Sequence, residues 1–267
     1  ALTMIRENPQ DVYYGMTLIN DDENTPGWKK AQRFLKQNSN VHIETGATCD
    51  GNILKQDNYI HCAKTHENKF DIITGDGGFD FSQDFNNQEN LCSKLIVAQA
   101  LYAITMQRHQ GTFVLKVFDI FYKSTLDILF ILSMFYNDVY IFKPQTSRLA
   151  NSEKYVICKQ FKFSSTSKYV SLFANIIRKL DISGNGYLVK LLRNPLPLFY
   201  IQRVDEITNV LCQFQMGIIL TTINLIKESK LIDNKQKINE LIKSNISKCT
   251  QWCINNEVGY NKIKLLR

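Results

Sequence analysis

Over the first 160 residues, short β-rich apolar runs alternate with stretches of helical periodicity. This order predicts α/β architecture around a mainly parallel sheet. Asp11–Ile19 reads as the first strand, ending at the polar turn Asn20-Asp21-Asp22. Trp28–Gln37 has helical spacing, with Trp28, Ala31, Phe34 and Leu35 on one face. Val41–Ile43 predicts a short strand before the turn-rich Thr45–Asn52. Phe70–Thr74 predicts a buried strand, broken by Gly75-Asp76-Gly77-Gly78. A helix is expected over Asn90–Gln107, with Leu91, Leu95, Ala98, Leu101, Tyr102 and Thr105 facing inward. Gly111–Phe118 is the next strand, and Ser124–Phe135 a helix with Ser124 as its N-cap. Val139–Phe142 and Tyr155–Lys159 are the last two strands, joined by the polar, basic loop Lys143–Lys154.

After Phe163 the pattern changes to long helices over Ser167–Leu180, Glu206–Glu228 and Lys235–Cys253, with joints at Gly184-Asn185-Gly186 and Asn194–Pro197. The expected division is therefore an α/β domain over 1–163 and a helical extension over 164–267 packed on it. No internal repeat of fixed period is visible. Leu126–Tyr136 is too short to span a bilayer and contains Asp127. Asn209–Ile226 is long enough, but Gln213, Gln215, Thr221, Thr222 and Asn224 interrupt it. Both read as buried helices, so no membrane partner is expected.

Composition narrows the class. With 12 Gly, 5 Pro and 11% aromatic residues in 267, collagenous and disordered readings fail. A net charge of +7 favours a polyanionic partner but says nothing about fold. The cysteines (Cys49, Cys62, Cys92, Cys158, Cys212, Cys249 and Cys253) are odd in number and scattered, which suits reduced thiols of the cytoplasm or nucleus. Cys249 and Cys253, one helical turn apart, read as core packing; no zinc spacing is present and no metal is expected.

Ligands of an open parallel sheet bind at the C-terminal edge of its strands. Asp76 lies there, Lys116 interrupts an apolar strand, and Glu153 precedes the last one. A buried lysine needs a partner or a function. Spacing alone allows two readings of these three residues, a structural ion pair at the sheet rim or a tuned general base.

Beyond spacing, Phe70–Phe79 (FDIITGDGGF) with Asn86-Asn-Gln-Glu89 resembles the aspartate motif of FtsJ-like (RrmJ-type) RNA ribose 2′-O-methyltransferases, in the branch that acts on capped mRNA. Gly111–Asp119, Phe142–Arg148 and Ala150–Val156 resemble the later motifs in the family's order. Tyr14–Leu18 and Cys49–Ile53 resemble the second strand and the adenine-side loop. The likeness runs over about residues 12–163 and implies a Rossmann-like fold binding S-adenosyl-L-methionine.

By that resemblance, Asp76, Lys116 and Glu153 match three members of a Lys-Asp-Lys-Glu tetrad. Lys116 then takes the proton of a ribose 2′-hydroxyl, Asp76 holds lysine and methyl donor in register, and Glu153 orients the amine. Asp50, Asn52, Asp76 and Gly77 are the implied cofactor contacts; Asn52 stands where the family often has aspartate, and a plain polar turn is the other reading of Asp50 and Asn52. Lys123, Lys143 and Arg148, with Lys159 beside them, are candidate RNA contacts that would neutralise phosphates. Tyr13, Tyr14, Phe79 and Phe81 are candidates for stacking or for core, and the basic end Lys262, Lys264 and Arg267 for a solubilising tail.

The family's glycine-rich loop and first lysine have no match in the chain, and Ala1–Asn8 reads as the end of the helix that follows such a loop. The expectation is a sheet incomplete at its N-terminal side, in a piece of a longer polypeptide. Two functions remain open: a cap-specific RNA 2′-O-methyltransferase, or a catalytically silent module that binds capped RNA or scaffolds an mRNA-processing complex. A nicotinamide oxidoreductase lacks its dinucleotide fingerprint. The helical third is expected to offer a homodimer or processing-partner surface, and a virus encoding its own capping enzymes, with the protein in host cytoplasm or virion, is an expected source.

Overall fold

In a computed structural model of the chain, residues 8, 10–19, 27–78, 87–184, 186–229 and 235–260 are described. The sequence readings at Asn20–Asp22, Phe79, Phe81, Asn86, Asn185, Lys262, Lys264, Arg267 and most of Ala1–Asn8 lie outside them. β1 (Tyr13–Gly15) is followed by a 3-10 turn (Lys29–Ala31) and α1 (Gln32–Gln37). Next come β2 (Val41–Ile43), α2 (Gln56–His66), β3 (Phe70–Gly75) and α3 (Gln88–Met106). β4 (Gln107–Val117), α4 (Lys123–Phe135), β5 (Tyr136–Phe142) and β6 (Lys154–Phe161) complete the α/β part. Helices α5 (Ser167–Ile182), α6 (Leu198–Ser229) and α7 (Lys235–Asn255) follow.

Instead of one mainly parallel sheet, β1 and β2 form a two-stranded parallel sheet of their own and the other four strands form a mixed one. β1 pairs with β2 in parallel, and β3 with β4 in parallel, but β4–β6 and β5–β6 are antiparallel, giving the order β3-β4-β6-β5. The loop between β5 and β6 turns the chain straight back, and such a return needs no crossover helix, so it yields an antiparallel pair. On β4, Phe113, Leu115 and Val117 are buried, while Thr112, Val114 and Lys116 share the opposite face. The period of the strand therefore places the lysine away from the Phe113–Val117 core.

Three local expectations change. Residues 56–66 form α2, unread from sequence because its buried face mixes Asn58, Tyr59, Cys62, Ala63 and His66, too polar for an apolar stripe. On α3, Ala98, Leu101, Tyr102 and Thr105 are buried as the spacing predicts, but Leu91 is exposed and Leu95 half-buried, and Cys92, Ile96, Val97, Ala100 and Ile104 join the core side. Ser124 is not the cap of α4: Tyr122 occupies the N-cap position, and the Ser124 hydroxyl is buried without a hydrogen-bond partner. Within α4, Asp127 is wholly buried and ties the helix to the distant segment at Leu191 and Leu192, taking the Lys123 ammonium at 2.7 Å and the amides of Leu191 and Leu192 at 2.8 and 2.9 Å.

The chain divides into two compact units, 1–143 with 153–205, and 144–152 with 206–267. The first unit runs past residue 163 because Phe173, Ala174, Ile177 and Leu180, at helical spacing on α5, belong to its core. In the second unit, Val210, Phe214, Met216, Leu220, Ile223 and Ile226 of α6 are exposed, contrary to the buried helix expected over Asn209–Ile226. Among the described residues, this unit offers α7, residues 144–152 and 256–260 beside its part of α6. By length and composition alone, Leu198–Lys227 is sufficient to cross a membrane. Cys249 is exposed rather than packed, and Cys253 half-buried.

Candidate active site

Three strand ends of the first unit meet the sequence-predicted residues. β3 stops at Gly75, and the chain leaves it through Asp76 and Gly77. The Gly77 amide donates to Gln99 Oε1 of α3 at 2.7 Å. A Cβ on Gly77 would stand 3.0 Å from that oxygen and 3.1 Å from Leu95, so the glycine lets the turn lie close on α3. Asp76 is thereby held outward, its side chain 70% exposed, and its carboxylate forms an ion pair with Lys116 Nζ; the lysine side chain is 17% exposed. The ammonium also lies 5.9 Å from the centre of the Phe118 ring.

Glu153 enters through a residue that sequence reasoning passed over. Tyr155 faces Lys116 across the β4–β6 pair, and its hydroxyl donates to Glu153 Oε1 at 3.3 Å. Burial, then the charges of Glu153 and Asp76, push the Tyr155 phenol above its ordinary value of 10.0. Tyr155, bonded to Glu153 and within the field of Asp76, thus sets Glu153 on the strand beside the Asp76–Lys116 ion pair. The signal for Tyr155 was its place two residues after Glu153, on the face of β6 that Lys116 meets. Lys143 Nζ donates to the Glu153 carbonyl at 2.7 Å, and Lys154 pairs with Asp119 at 3.3 Å. Burial pushes the Lys143 ammonium below its ordinary 10.5, with Glu153 acting against that.

Asp50 and Asn52 lie in a different environment. Asp50 Oδ1 accepts from Thr48 Oγ1 at 2.7 Å, Asn52 N at 3.0 Å and Asn58 Nδ2 at 2.9 Å, and Oδ2 meets Lys55 Nζ at 2.5 Å. Against the upward push of burial, these partners hold the carboxyl well below the usual carboxylate range. Asn52 Oδ1 accepts from the Leu54 amide at 3.0 Å. Asn58, wholly buried on α2, also accepts from the Thr48 amide at 2.8 Å and donates to the Asn52 carbonyl at 3.0 Å. Gly51 has φ +64°, and a Cβ there would collide with the Thr17 carbonyl. The loop is a preformed ledge against the Thr17–Ile19 segment beyond β1, also tied by the Ile19 amide to the Asp50 carbonyl at 2.8 Å.

Beside the ledge, Glu44 bonds His66 Nε2 at 2.8 Å and the Gly46 amide at 2.8 Å. Burial opposes its ionisation, but His66, Gly46 and His61 outweigh it and hold the carboxyl below 4.5.

The basic candidates separate. Lys143 stands beside Glu153, as above. Lys123 is the counter-ion of buried Asp127. Lys159, on β6, lies 6.0 Å from the centre of the Tyr140 ring. Arg148 is exposed and belongs to the second unit. Tyr14 is packed among His42, His66 and Phe70 with Lys69 over its ring at 4.7 Å, and the Tyr13 hydroxyl donates to Asp11 at 3.2 Å. Among the described residues, no group of three or more His, Cys, Asp or Glu is placed to hold a metal ion.

Residues 12–161 match the FtsJ-like methyltransferase family. Over 182 residues the chain is 29% identical to cap-specific mRNA (nucleoside-2′-O-)-methyltransferase 2 of Danio rerio, covering 67% of this chain and 23% of the relative. Over 205 residues it is 30% identical to cap-specific mRNA (nucleoside-2′-O-)-methyltransferase 1 of Homo sapiens, covering 73% of this chain and 24% of that protein. The chain thus spans about a quarter of the length of these curated relatives. A crystal structure of a ribosomal RNA methyltransferase from Plasmodium falciparum aligns over 60% of this chain and 93% of its own, at 17% identity and a TM-score of 0.36.

Proposed function

The chain belongs to the FtsJ-like methyltransferase family, and from that premise we propose that it carries the proton-abstracting face of an S-adenosylmethionine-dependent RNA ribose 2′-O-methyltransferase acting at capped mRNA ends. The observation that carries the reading is the Asp76–Lys116 pair at the C-terminal edge of β3 and β4, with Glu153 set beside it by Tyr155.

The residues present fit the cofactor in two respects. The Asp76 carboxylate is 70% exposed and suits a neighbouring sulfonium cation. The Asp50–Asn52 ledge is already built, with the Asp50 charge spent on holding it. Asn52, Asp76 and Gly77 are the residues that would hold the cofactor, which supplies an electrophilic methyl group. Lys116 Nζ, once it has released the proton of its ion pair with Asp76 to solvent, would take the proton of the ribose 2′-hydroxyl that attacks that methyl. Asp76 fixes the direction of the amine, and Tyr155 with Glu153 bounds its other side. A hydroxyl is a weak nucleophile, so the protein's task is alignment plus one base.

Two measurements on the full-length protein test this. Calorimetric titration with S-adenosylmethionine is expected to show saturable binding that Asn52→Ala weakens. Lys116→Ala is expected to abolish methyl transfer to capped RNA with its melting temperature unchanged; full activity in that variant overturns the reading. Cofactor-independent RNA binding would instead mark a catalytically silent module.

A further inference from the structure

We propose that Phe121 is a stacking platform for a nucleobase of the RNA strand, held in its binding position by the buried carboxylate of Glu89. The proposal rests on the RNA-methyltransferase reading for the identity of its ligand. Its geometry lies outside the Asp76–Lys116–Glu153 group.

Past the end of β4, the strand that carries Lys116, the chain runs through Phe118 to Tyr122 before α4 begins. This loop is pinned on two sides. Glu89, on the first turn of α3 and 3% exposed, accepts from the Phe121 amide with both oxygens, at 2.9 and 3.0 Å, and from the Tyr122 amide at 2.8 Å. Asp119 pairs with Lys154, the residue after Glu153, at 3.3 Å. Bonds from amides to a buried carboxylate are charge-assisted and short, and the amides just ahead of a helix favour an anion.

The side chains depart from this order. Phe121 is 60% exposed and Tyr122 46% exposed. A loose loop can fold such aromatics away, but this one has its main chain fixed while the Phe121 ring faces solvent. Holding the ring in place beforehand removes the ordering cost that a flexible loop meets on binding.

The position selects the ligand. The loop leaves the strand end where the ribose 2′-hydroxyl would meet Lys116. Bases of a single strand are unstacked and present flat apolar faces that aromatic side chains take up. A protein partner would call for a wider apolar surface than one ring.

The test uses the full-length protein and a capped single-stranded RNA carrying 2-aminopurine at successive positions near its 5′ end, at one fixed salt concentration. Phe121→Ala is expected to weaken RNA binding and raise KM for RNA about 5- to 150-fold, the range for one lost base–aromatic stack. Affinity for S-adenosylmethionine stays unchanged. Phe121→Trp is expected to retain binding and to show indole quenching on RNA addition, strongest for one 2-aminopurine position. Glu89→Gln, with one acceptor oxygen left, is expected to lie between wild type and Phe121→Ala.

Unchanged RNA affinity in Phe121→Ala overturns the proposal, as does absence of quenching in an RNA-bound Phe121→Trp protein. Lys116→Ala separates this from the parent reading: it is expected to bind RNA normally without methylating it. If Lys116→Ala still methylates while Phe121→Ala loses RNA, the assigned base is wrong and the platform stands.

Discussion

Asp50 and Asp76 are both aspartates at loops beyond strand ends of the first unit, and their surroundings differ. The Asp50 carboxylate is met by Thr48, Asn52, Asn58 and Lys55. Asp76 pairs with Lys116 and leaves its side chain 70% exposed. The first arrangement spends a charge on fixing backbone, which makes a ledge. The second leaves the charge available to whatever enters. A saturated acid and an open one therefore differ in what they can offer an incoming ligand, although in sequence both are an aspartate among glycines and polar residues.

The contrast is tested by making like changes on its two sides. The largest effect is expected from Asp76→Asn, which should lower kcat by about 10²- to 10³-fold, within the range for positioned acid–base groups. Its melting temperature should stay within a degree or two, because the side chain is mostly in water. A large loss of stability would show that Asp76 is scaffold after all.

Next comes Asn58→Ala, which leaves the Thr48 amide and the Asp50 carboxylate short of a partner in a buried setting. A cost of about 2–3 kcal/mol in chemical denaturation is expected. A rise in KM for S-adenosylmethionine, with KM for RNA unchanged, should accompany it. Asp50→Asn removes the charge but keeps an acceptor. We expect about 1–2 kcal/mol of destabilisation and a kcat within a few-fold of wild type. Loss of kcat comparable to Asp76→Asn would erase the distinction.

The smallest effect is in acid. Glu44 and Asp50 both have folded-state values below their ordinary 4.5 and 3.8. Depressed carboxylates bind fewer protons in the folded chain than in the unfolded one. Their stabilisation is complete above those ordinary values and lost as pH falls through the lowered ones. Stability of the wild type should therefore decline below about pH 4.5, and Glu44→Gln should shallow that decline. A Glu44→Gln protein with the wild-type acid profile would remove Glu44 from the account.

Several of these features were legible before the structure. A lysine inside the apolar run Gly111–Phe118 stood out because a strand alternates, and the observed β4 places Lys116 on its own face. The order of strands and helices followed from periodicity, as did α3 and α4 to within a few residues. The antiparallel pairing of β6 did not, since strand direction depends on which neighbour is met and apolar alternation carries no such information. α2 escaped because its inward face uses Asn58 and His66, whose value lies in hydrogen bonds made far along the chain. Glu89 and Asp127 escaped for the same reason: each is an acid in a helical stretch until the amides it accepts are known. On α6, apolar composition predicted burial, but composition cannot report how much surface the rest of its unit can offer.

The central claim, that Lys116 takes the 2′-hydroxyl proton beside Asp76, is tested most directly by locating the methyl group. A 2′-O-methylated ribose resists alkaline cleavage of the following phosphodiester. Full-length wild-type protein with S-adenosylmethionine and a capped RNA should yield one alkali-resistant linkage near the 5′ end. Lys116→Ala at the same concentration, with matching melting temperature and RNA affinity, should yield none. An alkali-resistant product from Lys116→Ala, or wild-type methylation on a base, would contradict the account.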